Sequence, residues 1–196
     1  MALPAFLGPF TPVPAPPALP AHAFAAIGGG AAQRLTFTMQ VQQQSQWCWA
    51  ATSASIDDYY GPAGTKSQCA IATGVLGGSC CTAPGSPACN QPYYLDVALS
   101  WVGHLAQPCI GTAIDLVAGG PGPASLETEI NGGRPVGCHI SWSGGGGHFN
   151  VIYGYDTGTQ DVDVADPYYS THTLPYAAFK TGYQGAGTWD ASYLTS

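Results

Sequence analysis

Residues 42–60 read QQQSQWCWAATSASIDDYY, a glutamine-rich stretch that runs into an alanine-rich one, with a cysteine between two tryptophans. Trp49, Ile56 and Tyr60 fall at helical spacing and Gly61-Pro62 interrupts the pattern, so we predict a helix that begins at Cys48. A cysteine at that place either belongs to a disulfide or is a nucleophile. The rest of the chain has to decide between these two interpretations.

The predicted helix start favours a reactive Cys48. The backbone N–H groups and the macrodipole at a helix N-terminus stabilise a thiolate, which is the nucleophilic form of cysteine. A helix end alone contributes only about 0.3–1 kcal/mol, which is too little for strong activation. A nucleophilic Cys48 therefore needs an imidazolium partner, which a histidine elsewhere in the chain must supply.

His148 is the histidine best suited to that role. It follows four consecutive glycines in SGGGGHFNVIYGYD and opens a predicted strand. Glycines let the backbone and a substrate approach closely and leave the imidazole uncrowded. His139 belongs to another predicted strand. The remaining three are interpreted as solvated side chains: His22 in a proline-rich tail, His104 at a helix end and His172 in a polar loop.

A carboxylate is predicted beside His148. The segments HFNVIYGYD and DVDVADPYY flank the turn-rich DTGTQ, which predicts an antiparallel hairpin. A turn at this place puts His148 opposite Asp166 or Tyr168, and the two even-numbered residues His148 and Asp166 share a face. Directly opposed Cβ atoms lie roughly 4.5–5.5 Å apart, so Asp166 can orient the imidazole. Asp161 and Asp163 are competing carboxylates, but odd positions face away.

Attack on a carbonyl also requires hydrogen-bond donors for the oxyanion. The backbone N–H of Cys48 is one candidate, and a side-chain amide just upstream is the second. Spacing alone does not choose among the glutamines there: Gln42, Gln43, Gln44 and Gln46.

The composition excludes several classes of partner. Only 8% of the residues are charged, and four basic against eleven acidic residues give a net charge of −7. Nucleic acids and anionic membrane surfaces both require basic patches, and no apolar run approaches the roughly 20 residues of a membrane-spanning helix. Low charge with 27 glycines, 17 prolines and seven cysteines predicts a secreted protein. A cytosolic protein with reduced thiols is the alternative.

Four of the seven cysteines crowd into one segment: Cys69, Cys80, Cys81 and Cys89. The two adjacent cysteines cannot easily bond each other, so we predict that they form separate disulfides with the two outer ones. No CxxC pair occurs, so we predict no zinc site and no other cofactor. The odd count leaves one cysteine unpaired unless an intermolecular bridge forms. Cys138 is either a free core thiol or the partner of Cys109.

Helices come first along the chain and strands follow, which is typical of an α+β fold. Residues 1–32, rich in alanine and proline and without a charged residue, are interpreted as a linker or pro-segment. Whether self-cleavage removes them stays open. Residues 33–196 are predicted to form one domain, with a first strand LTFTMQVQ from Leu35. Further elements are predicted as helices from residue 67, at 92–103 and 124–131, and as strands at 134–142, 148–156 and 161–169.

These residues resemble the papain-like cysteine peptidases. The helix-opening CWAA matches their nucleophile motif at Cys48, and Gln42 lies six residues earlier, where that family has its oxyanion glutamine. GGGGHFNVIYGYD followed by VADPYY resembles the compact bacterial branch that includes secreted effector proteases, whose third residue is an aspartate before proline, here Asp166. Gln46-Trp47 departs from the glycine-serine pair of the plant and lysosomal members, so the subsites near the nucleophile should differ.

The resemblance covers about residues 35–180 and implies a helical N-terminal part packed on an antiparallel sheet, with the active site between them. It implies a cysteine endopeptidase with a Cys48, His148 and Asp166 triad, Gln42 in the oxyanion hole and a protein or peptide substrate. We expect a monomer that uses no cofactor and binds neither nucleic acid nor membrane.

Two other functions remain open from the sequence. A transglutaminase or deamidase would use the same triad on glutamine side chains and release ammonia. A non-catalytic, disulfide-rich binding module would instead pair Cys48 with Cys109 or Cys138, and no reactive thiol would remain.

Overall fold

The computed structural model describes residues 31–61 and 64–196. The predicted linker or pro-segment therefore lies almost wholly outside the described residues. The helices are α1 (Cys48–Tyr60), α2 (Gln68–Leu76), α3 (Leu95–Val102), α4 (Leu126–Asn131) and α5 (Tyr176–Gly182). The strands are β1 (Ala32–Arg34), β2 (Val136–Trp142), β3 (Gly147–Asp156), β4 (Asp161–Asp166), β5 (Ser170–Pro175) and β6 (Gly187–Tyr193).

The strands form one antiparallel sheet in the order β5-β4-β3-β2-β6, and β1 also pairs with β3. Four helices precede the main sheet along the chain, and α1 and α4 contact β3. The predicted α+β class, with a helical N-terminal part on an antiparallel sheet, is confirmed. The sequence did not indicate β5, α5 or β6.

The central helix is α1, which packs against α2 and α3 as well as β3. Most of its residues are buried, and alanine, serine and threonine predominate among them, so neighbouring elements approach closely. The hydroxyls of Ser53 and Ser55 donate to the carbonyls of Trp49 and Ala51, at 2.9 and 2.7 Å, and are thereby satisfied without water. The helix ends at Tyr60, as the glycine-proline pair predicts.

The segment from Leu35 differs from its prediction as a strand. β1 lies just before it, and residues 35–42, all of which the structure describes, form no strand. Leu35 is buried and Phe37 and Met39 are partly buried, while the intervening threonines are exposed. The alternating pattern therefore reflects an extended segment that covers the core, but this segment does not form a β-strand.

The predicted hairpin of β3 and β4 is confirmed, and near its open end the pairing of Val151 with Ala165 corresponds to the predicted register that sets His148 opposite Tyr168. The register shifts by one residue near Gly154. If this pairing is continued by one residue past Val151 and Ala165, Asn150 rather than His148 lies beside Asp166. Asp166 is a diagonal neighbour of His148 across the hairpin. The two side chains share a face because His148 lies two residues from Asn150, the residue beside Asp166.

The two predicted disulfides are confirmed: Cys69–Cys81 and Cys80–Cys89. The other three cysteines are free thiols. Cys109 is exposed and Cys138 is buried, so the bridge between them that the sequence left open does not form. Cys48 is also free, which removes the basis of the binding-module interpretation.

Candidate active site

Cys48 is the first residue of α1, as the sequence predicts. The preceding Trp47 makes no side-chain hydrogen bond to cap the helix, so the cap supplies no acceptor for the N–H groups of the first turn. The first turn of the helix therefore places its backbone N–H groups and the positive end of its dipole beside the sulfur.

The imidazole of His148 connects Cys48 to Asp166. Its Nε2 atom lies 2.9 and 2.8 Å from Oδ1 and Oδ2 of Asp166. The side chain of Cys48 lies close enough to the imidazole to help raise the pKa of His148. The structure therefore brings together the three predicted residues from α1, β3 and β4.

In the His148–Asp166 pair, each side chain shifts the pKa of the other. Burial by itself lowers the pKa of His148, but the charge and hydrogen bonds of Asp166, with those of Cys48, outweigh burial and raise the pKa to about 10. Burial likewise raises the pKa of Asp166, but His148 and two backbone N–H groups outweigh it and hold that pKa below its ordinary value. Neither side chain has any exposed surface, so the imidazolium–carboxylate pair is little screened by water.

Further donors to Asp166 come from residues that sequence reasoning missed. The backbone N–H groups of Tyr168 and Tyr169 each lie 2.8 Å from Oδ1. The Tyr183 hydroxyl donates to Oδ2 at 2.8 Å, and the Asn150 amide is 3.4 Å from the same oxygen. The available signal was the spacing of Asn150, two residues after His148; nothing local pointed to Tyr183.

Aromatic rings enclose the pair. Trp142 stacks beside His148 at 6.1 Å between ring centroids, and Tyr169 meets the same imidazole edge-on at 5.8 Å. Tyr183 stacks on Trp142 at 6.4 Å. These rings keep water away from the carboxylate, which strengthens its interaction with the imidazole.

The glycine run before His148 forms the turn between β2 and β3. Gly145 and Gly146 have φ angles of 90° and 82°, which side chains rarely adopt. Gly147 faces His139 so closely that a Cβ atom there would collide with its imidazole. The run therefore aims β3 so that His148 faces Cys48.

Gln42 lies in the loop that leads to the nucleophile. Its backbone N–H donates to the carbonyl of Pro167 at 3.0 Å, which ties this loop to the turn after Asp166. Its amide Nε2 donates to the carbonyls of Gln44 and Ser45 at 2.9 and 3.1 Å. Its Oε1 atom is buried and has no hydrogen-bond partner among the described residues. An oxyanion role requires one of the N–H groups to turn from its carbonyl to the substrate.

The disulfide-rich segment braces the same loop. Asn90 accepts from the backbone N–H of Gln46 at 3.0 Å and donates to the Ser45 hydroxyl at 3.0 Å. The indole of Trp47 donates to the Cys89 carbonyl at 2.7 Å, and that of Trp49 to the Gln91 carbonyl at 3.0 Å. The segment around Cys89 therefore fixes the residues on both sides of Cys48.

Removing the Cys80–Cys89 disulfide, by replacing both cysteines with alanine, is expected to lower both stability and turnover. The free energy of unfolding should fall by about 2–4 kcal/mol, measured by urea denaturation. The kcat should also fall, because the carbonyl that holds Trp47 loses its anchor. Alanine at Cys69 and Cys81 is the matched control, with a comparable loss of stability and a smaller loss of kcat. Equal kcat values in the two variants would contradict the bracing role.

The other sequence candidates lie elsewhere or make different pairs. Asp163 binds Arg34, with Nη2 and Oδ1 2.6 Å apart. The Nδ1 atom of His139 lies 2.6 Å from Oδ1 of Asp190. Three candidates remain: His104, which contacts the Ser196 carbonyl, His172, on β5, and His22, which lies outside the described residues.

Among the described residues, no cluster of three or more histidine, cysteine or acidic side chains is arranged to hold a metal ion. None of the helices there has both the length and the apolar character needed to cross a membrane.

Comparisons with known proteins show a family and similar solved structures. The profile of the Peptidase_C39 like family matches residues 34–193. One of the similar solved structures is a double glycine motif protease from an AMS/PCAT transporter, in complex with the leader peptide. It is 18% identical, with a TM-score of 0.44, and the match covers 83% of this chain and 94% of that one. No curated protein matches the sequence.

Proposed function

The chain belongs to the Peptidase_C39 like family and is a cysteine-type peptidase, and on this premise we propose that it hydrolyses peptide bonds of a protein or peptide substrate through an acyl-enzyme on Cys48. One observation carries the proposal. The buried Asp166 carboxylate binds Nε2 of His148, and the Cys48 side chain lies close enough to the same imidazole to help raise its pKa. That is the arrangement of a nucleophile, a base and a group that orients the base.

In the first half of the reaction, the Cys48 thiolate attacks the carbonyl carbon of the scissile peptide. A C–S bond forms and the carbonyl electrons move to oxygen, which the Cys48 N–H and the Gln42 amide stabilise. The C–N bond then breaks, and the leaving amine takes the proton of the His148 imidazolium. Asp166 holds the imidazole in the tautomer and orientation that this transfer needs.

In the second half, water releases the acyl group. Neutral His148 takes a proton from water, and the oxygen attacks the thioester carbon. The C–S bond breaks, the acid product leaves and the thiolate–imidazolium pair returns. Peptide cleavage is distinguished from the transglutaminase or deamidase alternative by its products, which are new peptide termini without ammonia.

Gln42→Ala is expected to lower kcat by about 10²-fold, because one oxyanion donor is lost. Steady-state kinetics on a peptide substrate measure this change. Gln43→Ala is the control, since that side chain is exposed and Gln43 binds Gln68 through its backbone N–H. Similar rates for the two variants would exclude Gln42 from the oxyanion site.

Brief iodoacetamide treatment at about pH 6 is expected to give one rapid adduct, on Cys48, because only a thiolate reacts quickly. Burial raises the pKa of Cys138, which has no exposed surface. Cys109 is exposed, but burial of its sulfur and the nearby Asp96 and Asp190 raise its pKa, so it stays protonated. Intact mass and peptide mapping locate the adduct.

His148→Ala serves as the comparison in the alkylation experiment. It should slow the Cys48 adduct by at least about tenfold, since the imidazolium no longer stabilises the thiolate. A first adduct on Cys109, or a rate that does not depend on His148, would contradict the proposed nucleophile.

We also propose that the protein works in an oxidising compartment outside the cytosol. Two disulfides, Cys69–Cys81 and Cys80–Cys89, support this proposal, because such bonds are rarely maintained in the cytosol. Fractionation of expressing cells tests it, and exclusive recovery from the cytosol in reduced form would reject it.

A further inference from the structure

The Tyr183 hydroxyl makes the shorter of the two side-chain contacts to Asp166 that the reaction scheme above does not use; the Asn150 amide makes the other. The Tyr183 oxygen lies 2.8 Å from Oδ2 of Asp166, and the residue is 1% exposed. The carboxylate oxygens accept only, so the hydroxyl must be the donor. Burial and the charge of Asp166 raise the pKa of Tyr183 well above its ordinary value, so the hydroxyl keeps its proton.

The position of this hydroxyl is fixed by the fold. Tyr183 directly follows α5, and its backbone makes two hydrogen bonds with Gly187, at 3.0 and 2.8 Å. Its ring packs edge-on against Phe179 at 5.2 Å and stacks on Trp142. The phenol is therefore a rigid support rather than a mobile surface group.

We propose that Tyr183 is a positioning residue of the active site, which holds the Asp166 carboxylate so that it binds Nε2 of His148 and leaves Nδ1 for Cys48. The inference rests on the proposed function. Tyr183 acts through Asp166 and touches neither the substrate nor Cys48.

The geometry explains why one hydroxyl matters. The backbone N–H groups of Tyr168 and Tyr169 both hold Oδ1 and allow the carboxylate to rotate about that anchor. Oδ2 faces His148, and of the two other side chains that donate to it, the Tyr183 hydroxyl is nearer, at 2.8 Å against 3.4 Å for the Asn150 amide, so it is the main anchor of this oxygen. Without the hydroxyl, the carboxylate rotates away from the imidazole, and its electrostatic effect on His148 weakens.

Loss of the hydroxyl should shift the pH profile of kcat/KM in a definite direction. Asp166 and Cys48 are the titratable groups that raise the pKa of His148, and Tyr183 acts on Asp166. A loosened carboxylate lets the pKa of His148 fall, so the alkaline limb of the kcat/KM profile moves to lower pH. A hydroxyl that merely withdrew charge from the carboxylate would have the opposite effect, since its loss would move the limb to higher pH.

The first test is Tyr183→Phe, which keeps the ring and removes the hydroxyl. We expect a roughly tenfold lower kcat, because a hydrogen bond to a charged group is lost. KM should stay unchanged and the alkaline limb should shift to lower pH. Tyr176→Phe is the matched control, because it removes a hydroxyl bond of equal length, from α5 to the Ile114 carbonyl at 2.8 Å. An unshifted or upward-shifted limb, or an equal effect of Tyr176→Phe, would overturn the inference.

A double-mutant cycle with Asp166→Asn completes the test. If Tyr183 acts through Asp166, adding Tyr183→Phe to Asp166→Asn changes kcat by less than about twofold. A full tenfold further loss would overturn the inference and leave the triad intact. If Asp166→Asn alone changes neither kcat nor the alkaline limb, the proposed triad itself fails, and that outcome is distinct from a failure of Tyr183→Phe alone.

Discussion

Cys48→Ala is expected to lower kcat/KM by at least about 10⁴-fold, because the proposed acyl-enzyme forms on this sulfur. The other two free thiols do not compete for this role, since Cys138 is buried and Cys109 lies on the surface. Loss of one sulfur from a nearly buried site leaves the packing of α1 largely unchanged. The fold should therefore persist, which circular dichroism and the melting temperature can establish.

Cys109→Ala is the matched control for that experiment, because it also removes a free thiol. It should retain the parent activity. Retention of more than about one tenth of the activity by Cys48→Ala would reject covalent catalysis at this residue.

His148→Ala is expected to have the second largest effect, a loss of about 10³-fold or more in kcat, because it removes the general acid and base together. Peptide hydrolysis under saturating substrate measures the loss. His172→Ala is the control, since His172 lies on β5 and contacts Gln184 rather than Asp166. A comparable loss in both variants would mean that His148 has no special role.

The same substitution should change how stability depends on pH. In the parent protein the raised pKa of His148 means that its contribution to stability is complete below the ordinary histidine pKa and is lost as the pH rises through about 10. The His148→Ala variant lacks this contribution, so the parent loses stability relative to the variant as the pH rises from the ordinary histidine pKa to about 10.

Urea denaturation of the parent and of His148→Ala at about pH 8 and about pH 10 tests this sign. Removal of one partner from a buried pair typically costs about 3–5 kcal/mol of unfolding free energy. The difference between the two proteins should be smaller at the higher pH. A difference that grows as the pH rises would contradict the charged state assigned to the pair.

The features that could be predicted from the sequence are those that local patterns determine. Cys48 was found because helix periodicity begins there, and Asp166 because the hairpin brings it onto the face of His148. The two disulfides followed from the adjacency of Cys80 and Cys81, since neither could be satisfied by the other. In each case the interacting residues lie within one supersecondary unit or one short segment.

The missed features depend on contacts between distant parts of the chain. Tyr183 reaches Asp166 only after α5 folds back over β4 and β5, and its own surroundings in the sequence give no sign of it. Asn90 lies far along the chain from the loop that it holds. The stretch from Leu35 has strand periodicity but no open neighbour to pair with. All three features are determined by tertiary packing rather than by local sequence.

The brace on the nucleophile loop has a consequence for redox chemistry. Cys80–Cys89 must stay oxidised, while Cys48, adjacent to the Trp47 indole that binds the Cys89 carbonyl, must stay reduced. Mild reductant restores a Cys48 that has been oxidised, and stronger reductant opens the brace. Activity should consequently pass through a maximum as the reduction potential of the medium is lowered, so the enzyme has an operating window bounded on both sides by sulfur chemistry.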